Sequence, residues 1–192
     1  MTQKWVRLLF PFTNNYGARL TETELSRLSD IPQQTASRYL NQLVEQNLID
    51  YTRQGKNKLF YIDHSRQTSI LLLEILEAHK ALHFQQKSGE ISLIINDILK
   101  TFESVIVFGS YSSYTFDKDS DLDLVIIGKD NQDLLKQIKQ RHTININEHI
   151  LSANEFSRSL RSKNPLSLEI LKNHIIFGNI SRIVSLFSEV SG

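Results

Sequence analysis

The chain has 192 residues, 40% of them hydrophobic and 22% charged, with a formal net charge of +1 and no cysteine. That balance suits one or two folded domains and excludes large-scale disorder, polyelectrolyte binding driven by net charge, disulfides, thiol nucleophiles and thiolate zinc sites. The start of the chain lacks a charged lead followed by a long apolar core, and no apolar run approaches the ~20 residues a bilayer needs, so a cytoplasmic protein without a membrane partner is expected.

Residues 4–12 read as a short apolar helix, followed by an Asn14-Asn15-Tyr16-Gly17 loop. Thr21 and Glu24 have the Thr-x-x-Glu spacing of a capping box and open a second helix through Leu28. Pro32 starts a third helix to about residue 46, with Leu40, Leu43 and Val44 on its inward face. A strand over 48–52, a polar tip over 53–58 containing Gly55, and an alternating strand over 59–62 predict a β-hairpin. This order resembles a winged helix-turn-helix domain, expected over 1–64. The resemblance implies DNA contact by the start of the third helix, through Gln33, Gln34, Thr35, Ser37 and Arg38, and phosphate contact by Arg53, Lys56 and Lys58 of the wing. Gln and Arg side chains can make bidentate contacts with bases. Residues 1–66 hold nine Lys or Arg and six Asp or Glu, a net of +3, so the electrostatic contribution is modest. A winged helix used for protein contacts or dimerisation is the competing expectation.

Two helical stretches follow. Residues 65–84 place Leu72, Ile75, Leu76, His79, Leu82 and His83 at the 3.6 spacing of a buried stripe, and residues 90–102 do the same with Ile91, Ile94, Ile95, Ile98, Leu99 and Phe102. Residues 65–87 are expected as a helical connector that either joins two domains or pairs with its counterpart in a homodimer. His79 and His83 stand four apart, but no third ligand lies near them in sequence, so packing is the expected role.

Residues 105–127 read VIVFGSYSSYTFDKDSDLDLVII. A glycine directly after an apolar strand lets backbone approach an anion closely, and Ser110 with residues 111–114 predicts a short helix whose free N–H groups favour phosphate. In the next strand Asp121 and Asp123 share one side, because successive strand side chains alternate. Two carboxylates on one side, with substrate phosphates, suit Mg²⁺ or Mn²⁺. The pattern Phe108-Gly109-Ser110, about ten residues, then Ser120-Asp121-Leu122-Asp123-Leu124 resembles the minimal nucleotidyltransferases of the DNA polymerase β superfamily. That resemblance implies that Gly109, Ser110 and Ser120 bind the nucleoside triphosphate and that Asp121 and Asp123 hold the metals. Many members have Ala-Arg/Lys-Gly where this chain has Ser112, Ser113 and Tyr114.

The resemblance also implies a third carboxylate from a later strand. Residues 143–151, TININEHIL, alternate as a half-exposed strand, with Ile144, Ile146, Glu148 and Ile150 on one face and Asn145, Asn147, His149 and Leu151 on the other. Glu148 is the only acid there and is the expected third metal and catalytic carboxylate. Asn147 competes for that position, and an amide could ligate but not act as a base. A helix over 133–141 links the two strands, Ser152 and Glu155 form a second capping box for a helix to about 162, and Pro165 opens another to 173. Residues 174–177 read as an apolar strand, Gly178 punctuates, and Ile180, Ile183, Val184 and Phe187 mark a last amphipathic helix. No Walker-type loop, dinucleotide glycine fingerprint or His-Glu-x-x-His motif competes.

The expectation is therefore an α/β (α+β) chain: a winged helix-turn-helix over 1–64, a connector over 65–87, and over 88–192 a polymerase β-like nucleotidyltransferase domain with a small mixed sheet flanked by helices. Its expected activity is metal-dependent transfer of a nucleoside monophosphate from a triphosphate to an acceptor hydroxyl. The alternative is a DNA-binding regulator, or antitoxin-like protein with a protein partner, whose nucleotidyltransferase fold senses nucleotide without turnover.

Overall fold

The computed structural model describes residues 4–118 and 120–191. Residues 1–3 and 192 of the expected terminal domains, and Asp119 of the motif, lie outside the described residues. The chain divides into two units, one running to Leu76 and including the residues from Phe187 onward, the other comprising Glu77–Leu186.

The first unit begins with α1 (Lys4–Thr13), β1 (Leu20–Thr21), α2 (Glu22–Ser29) and α3 (Gln33–Glu45), followed by β2 (Asp50–Gln54) and β3 (Asn57–Tyr61). The Thr21 hydroxyl accepts from Glu24 N–H at 3.2 Å while the Glu24 carboxylate accepts from Thr21 N–H at 2.8 Å, so the capping box forms and starts α2. Asp30 in the left-handed region ends the helix, and Ile31 N–H returns to the Ser26 carbonyl, turning the chain into α3. Val6, Leu9, Phe12, Leu25, Ala36, Leu40, Ile49 and Phe60 are buried, one apolar stripe from each helix meeting the small antiparallel sheet β1-β3-β2. The hairpin is tighter than its sequence suggests. Arg53 and Gln54 pair with Lys58 and Asn57, leaving only Gly55 and Lys56 in the turn, with Gly55 at φ +60°.

Helix α4 (Gln67–Lys87) is one uninterrupted helix, three residues longer at its C-terminal end than the predicted stretch over 65–84, and it contributes to both units. Its buried stripe is Leu72, Leu73, Leu76, Glu77, Ala81 and Phe84, while Ile75 and Leu82, expected inside, are 54% and 60% exposed. The cause is Glu77. It is fully buried on the inward stripe, 3.2 Å from Lys80 Nζ and 3.1 Å from His174 Nε2, so an acid sits where pattern reading seeks an apolar residue. His174 Nδ1 lies 2.7 Å from the Ile170 carbonyl, which can only accept, so Nδ1 carries a proton.

The second unit continues with α5 (Gly89–Leu99), β4 (Ser104–Val107), α6 (Gly109–Ser113), β5 (Leu122–Ile127), α7 (Gln132–Arg141) and β6 (Ile146–Leu151). Then come α8 (Ala153–Ser162), α9 (Pro165–Lys172), β7 (Ile175–Gly178) and α10 (Ile180–Ser191). The sheet order is β6-β5-β4-β7, with β5 and β6 parallel across the α7 crossover and the other pairs antiparallel. Ile91, Ile94, Ile95 and Ile98 of α5 and Leu135 and Ile138 of α7 cover one sheet face, meeting Val105, Val107, Leu122, Leu124, Ile126 and Ile146. By alternation Ile106, Asp123, Val125, Asn147 and His149 belong to the opposite face. The second capping box forms too, with Ser152 N–H donating to Glu155 at 2.8 Å.

Candidate nucleotide site and candidate nucleic-acid face

The candidate nucleotide site lies where β4 ends and β5 begins. Phe108 N–H donates to the Asp123 carbonyl at 3.1 Å, carrying the β4–β5 pairing one residue beyond the ladder. The chain then turns sharply into α6 at Gly109, whose φ is +67°. A Cβ on Gly109 would stand 2.4 Å from Asp123 Oδ2 and 3.3 Å from its Cγ. Glycine is thus required twice over, for its backbone angle and because a carboxylate is pressed against its Cα. The sequence motif joins Gly109 and Asp123 in space.

Asp123 is half-buried and Asp121, just before β5, is exposed. Asp123 Oδ1 accepts from Asn147 Nδ2 at 2.9 Å, and the two residues are register partners across the parallel β5–β6 pair. Glu148 pairs instead with the position of Leu124, on the opposite side of the strand, where it forms an ion pair with Lys139 of α7. The structure therefore does not bring Glu148 to Asp121 and Asp123. The physical reason is parity: register sets Asn147 beside Asp123, and the next residue must face the other way. The predicted strand over 143–151 starts only at Ile146, which left that register open in the sequence.

Ser120 is engaged locally in the structure. Its hydroxyl donates to Asp117 Oδ1 at 2.8 Å and accepts from Asp117 N–H at 2.9 Å, which closes the turn entering β5. Ser110 is half-buried in the first turn of α6. Tyr111 stacks on Phe116 at 4.4 Å between centroids, and its hydroxyl donates to the Ser120 carbonyl at 3.4 Å. Burial, then the negative charges of Glu90, Asp117 and Asp121, push the Tyr111 phenol up, so it remains a donor at neutral pH. Tyr114 ends α6 at φ 57°, a left-handed conformation costing a non-glycine residue roughly 1–2 kcal/mol. Its ring lies beside those of His83 and Phe84, and Lys87 Nζ is 5.4 Å from its centroid. His83 is thereby engaged with Tyr114, and burial, then Lys87 and His79, push its imidazole down.

The donor set fits a divalent cation only in company with a ligand. Two carboxylates plus phosphate oxygens are a usual Mg²⁺ environment. Among the described residues no group of three or more His, Cys, Asp or Glu could hold a metal ion by itself.

In the first unit, Gln33, Gln34 and Arg38 of α3 are exposed and Thr35 and Ser37 half-buried. Gln33, Gln34, Ser37 and Arg38 line one open groove with Glu22 and Asn41. Gln33 also lines a second groove, which includes Lys56, Asn57 and Lys58 of the hairpin. Thr35 and Arg53 line neither. Lys58 Nζ lies 4.4 Å from the Tyr51 ring centroid and donates to Asn41 Oδ1 at 3.4 Å. Sequence reading missed Asn41, which stands on the exposed side of α3 eight residues after Gln33, and could have found it by that spacing.

Residues 90–176 match the family model of the nucleotidyltransferase domain. That match covers β4, α6, β5, α7 and β6, the elements that build the site, and supports a general nucleotidyl-transfer role for this part of the chain. Comparisons with curated proteins and with solved structures returned no match. No helix among the described residues is long and apolar enough to cross a membrane.

Proposed function

We propose that the chain couples a metal-dependent nucleotidyltransferase site to a winged helix-turn-helix that binds DNA. The observation that carries the first half is the abutment of Asp123 on Gly109, which unites the phosphate-approach turn with a metal-binding carboxylate. In this reading Gly109 and Ser110 receive the triphosphate, and Asp121 and Asp123 hold Mg²⁺ or Mn²⁺ together with phosphate oxygens. A divalent ion there would neutralise charge on the triphosphate and on the departing pyrophosphate. The acceptor hydroxyl oxygen bonds to the α-phosphorus, the bond to the bridging β-phosphate oxygen breaks, and the hydroxyl proton passes to solvent. Gly109 sets how closely the phosphates approach, and Asn147 orients Asp123 through its hydrogen bond.

The order helix–strand–helix–helix–hairpin in the first unit supports the winged-helix reading, with Gln33, Gln34, Thr35, Ser37 and Arg38 at base edges or phosphates and Arg53, Lys56 and Lys58 on the backbone. Exposed Leu71, Ile75 and Leu82 of α4, four and seven residues apart, support a homodimer as the DNA-bound form. A specific observation favours a second reading, a DNA-binding regulator that senses nucleotide without turnover: the side chain facing Asp123 from β6 is an amide.

Transfer of α-labelled nucleotide from each of the four ribonucleoside triphosphates to components of a cell extract, with Mg²⁺ or Mn²⁺, separates these readings. Labelling by wild type and not by the Asp121→Asn/Asp123→Asn double variant is the expected result. Labelling that persists in the double variant refutes the site. Nucleotide binding without labelling selects the sensor.

A further inference from the structure

Resting on the nucleotide-site reading above, we infer that Asn147 limits this site to one nucleotide-bound divalent ion and acts as a positioning residue for Asp123. Parallel pairing sets Asp123 and Asn147 side by side on β5 and β6, with Asn147 Nδ2 2.9 Å from Asp123 Oδ1. An ionised carboxylate only accepts, so the amide presents its NH₂ group to Asp123 and turns hydrogen-bond donors toward that side. While that hydrogen bond holds, a second cation bridging from Asp123 toward β6 would meet those donors, because Asn147 Oδ1, the atom of the amide able to ligate, is turned to the other side. The other carboxylate oxygen, Oδ2, is turned toward Gly109, where the phosphate turn begins.

No neighbouring side chain supplies the missing ligand. Glu148 faces away and is held by Lys139. His149 is the next β6 residue on the Asn147 face, about 7 Å further along the strand, and its ring lies beside Phe108. Among the described residues no cluster of three acidic, His or Cys side chains exists that could recruit an ion independently. The hard-cation capacity of the site therefore consists of Asp121, Asp123 and the oxygens that the nucleotide brings.

Replacing Asn147 by Asp exchanges the donor for an oxygen ligand without changing side-chain volume appreciably. Without metal it places two carboxylates side by side, so the metal-free variant is less stable than wild type. With metal that liability becomes a second ion site.

The test is Mn²⁺ stoichiometry, read by electron paramagnetic resonance on the full chain with each α,β-methylene ribonucleoside triphosphate in turn. Wild type is expected to bind one Mn²⁺ with nucleotide, and Asn147→Asp two. Asn147→Ala keeps one ion but binds it roughly tenfold or more weakly, because Asp123 loses its orienting donor. Two ions in wild type, or one in a folded Asn147→Asp variant, overturn the inference while leaving the nucleotide site intact. No nucleotide-dependent Mn²⁺ in wild type overturns the site reading itself. Should Asn147→Asp fail to fold, unchanged Mn²⁺ affinity in Asn147→Ala overturns the positioning role.

Discussion

Gly109→Ala isolates the Gly109–Asp123 contact on which the proposed nucleotide site rests. Gly109 has φ +67°, and a left-handed backbone costs an alanine roughly 1–2 kcal/mol relative to glycine. The added Cβ stands 2.4 Å from Asp123 Oδ2, so the carboxylate must retreat by about 1 Å, and forcing an atom into a packed position costs typically 1–3 kcal/mol. The sum is a destabilisation of about 2–5 kcal/mol for the second unit. The matched control is Gly89→Ala in the same unit, at the start of α5, where a Cβ meets nothing within 4 Å and the backbone needs no glycine. That change is neutral or stabilises by up to ~1 kcal/mol. The single tryptophan, Trp5, lies in the first unit and does not report on this site. Urea unfolding followed by circular dichroism should therefore be joined to hydrogen exchange of β4 and β5 amides. Displacing Asp123 also disturbs its bond to Asn147, and Mn²⁺–nucleotide affinity should fall 10–100-fold. Stability and affinity in Gly109→Ala equal to those of Gly89→Ala would refute the Gly109–Asp123 contact.

Glu77→Gln leaves the largely enclosed Lys80 side chain, 14% exposed, without its counter-charge and should cost up to about 3–5 kcal/mol, with the Glu77→Gln/Lys80→Met double variant recovering part of it in chemical denaturation. Burial pushes the Glu77 carboxyl up, but Lys80 and then His174 draw it below its ordinary value, so its stabilisation is present above the unfolded value near ~4.3 and is lost as pH falls through the folded one. An acid titration of stability should accordingly be shallower in Glu77→Gln. Thr21→Ala removes the first capping box and should cost about 1 kcal/mol in the first unit, measured by Trp5 fluorescence. Glu24 is held below the usual carboxylate range by the Thr21 N–H and then the Thr21 hydroxyl, so this loss should shrink on acidification as Glu24 protonates. On the DNA-binding reading, Lys56→Ala should weaken all sequences alike and lower the salt slope of binding by about 1, whereas Arg38→Ala should cost roughly 1–3 kcal/mol mainly on the preferred sequence.

Local chemistry was readable from the sequence because the interacting groups are close in the chain. The Thr21–Glu24 and Ser152–Glu155 boxes are three-residue rules, and both form. The sheet strands contain continuous apolar runs over 105–108 and 124–127, buried on both faces, which marks them without any partner information. The α4 stripe was less accessible. Glu77 lies in its centre, paired with Lys80 and packed beside His174, 97 residues away, and that distant neighbour is invisible to any window of local sequence.

The same distinction decides the candidate site. Gly109 and Asp123 are fourteen residues apart and joined by one β4–α6–β5 connection, so motif spacing is enough to place them together. The third position depends on the register of β6 against β5, set by α7, by the start of the strand at Ile146 and by the buried Leu122–Ile146 pair. A one-residue change in that register would exchange Asn147 for Glu148 at Asp123 and also move Ile146 out of the core formed with α5 and α7. Apolar burial therefore fixes the chemistry: Ile146 must face inward, Asn147 must face Asp123, and the acid nearest in sequence is committed to Lys139 across the sheet.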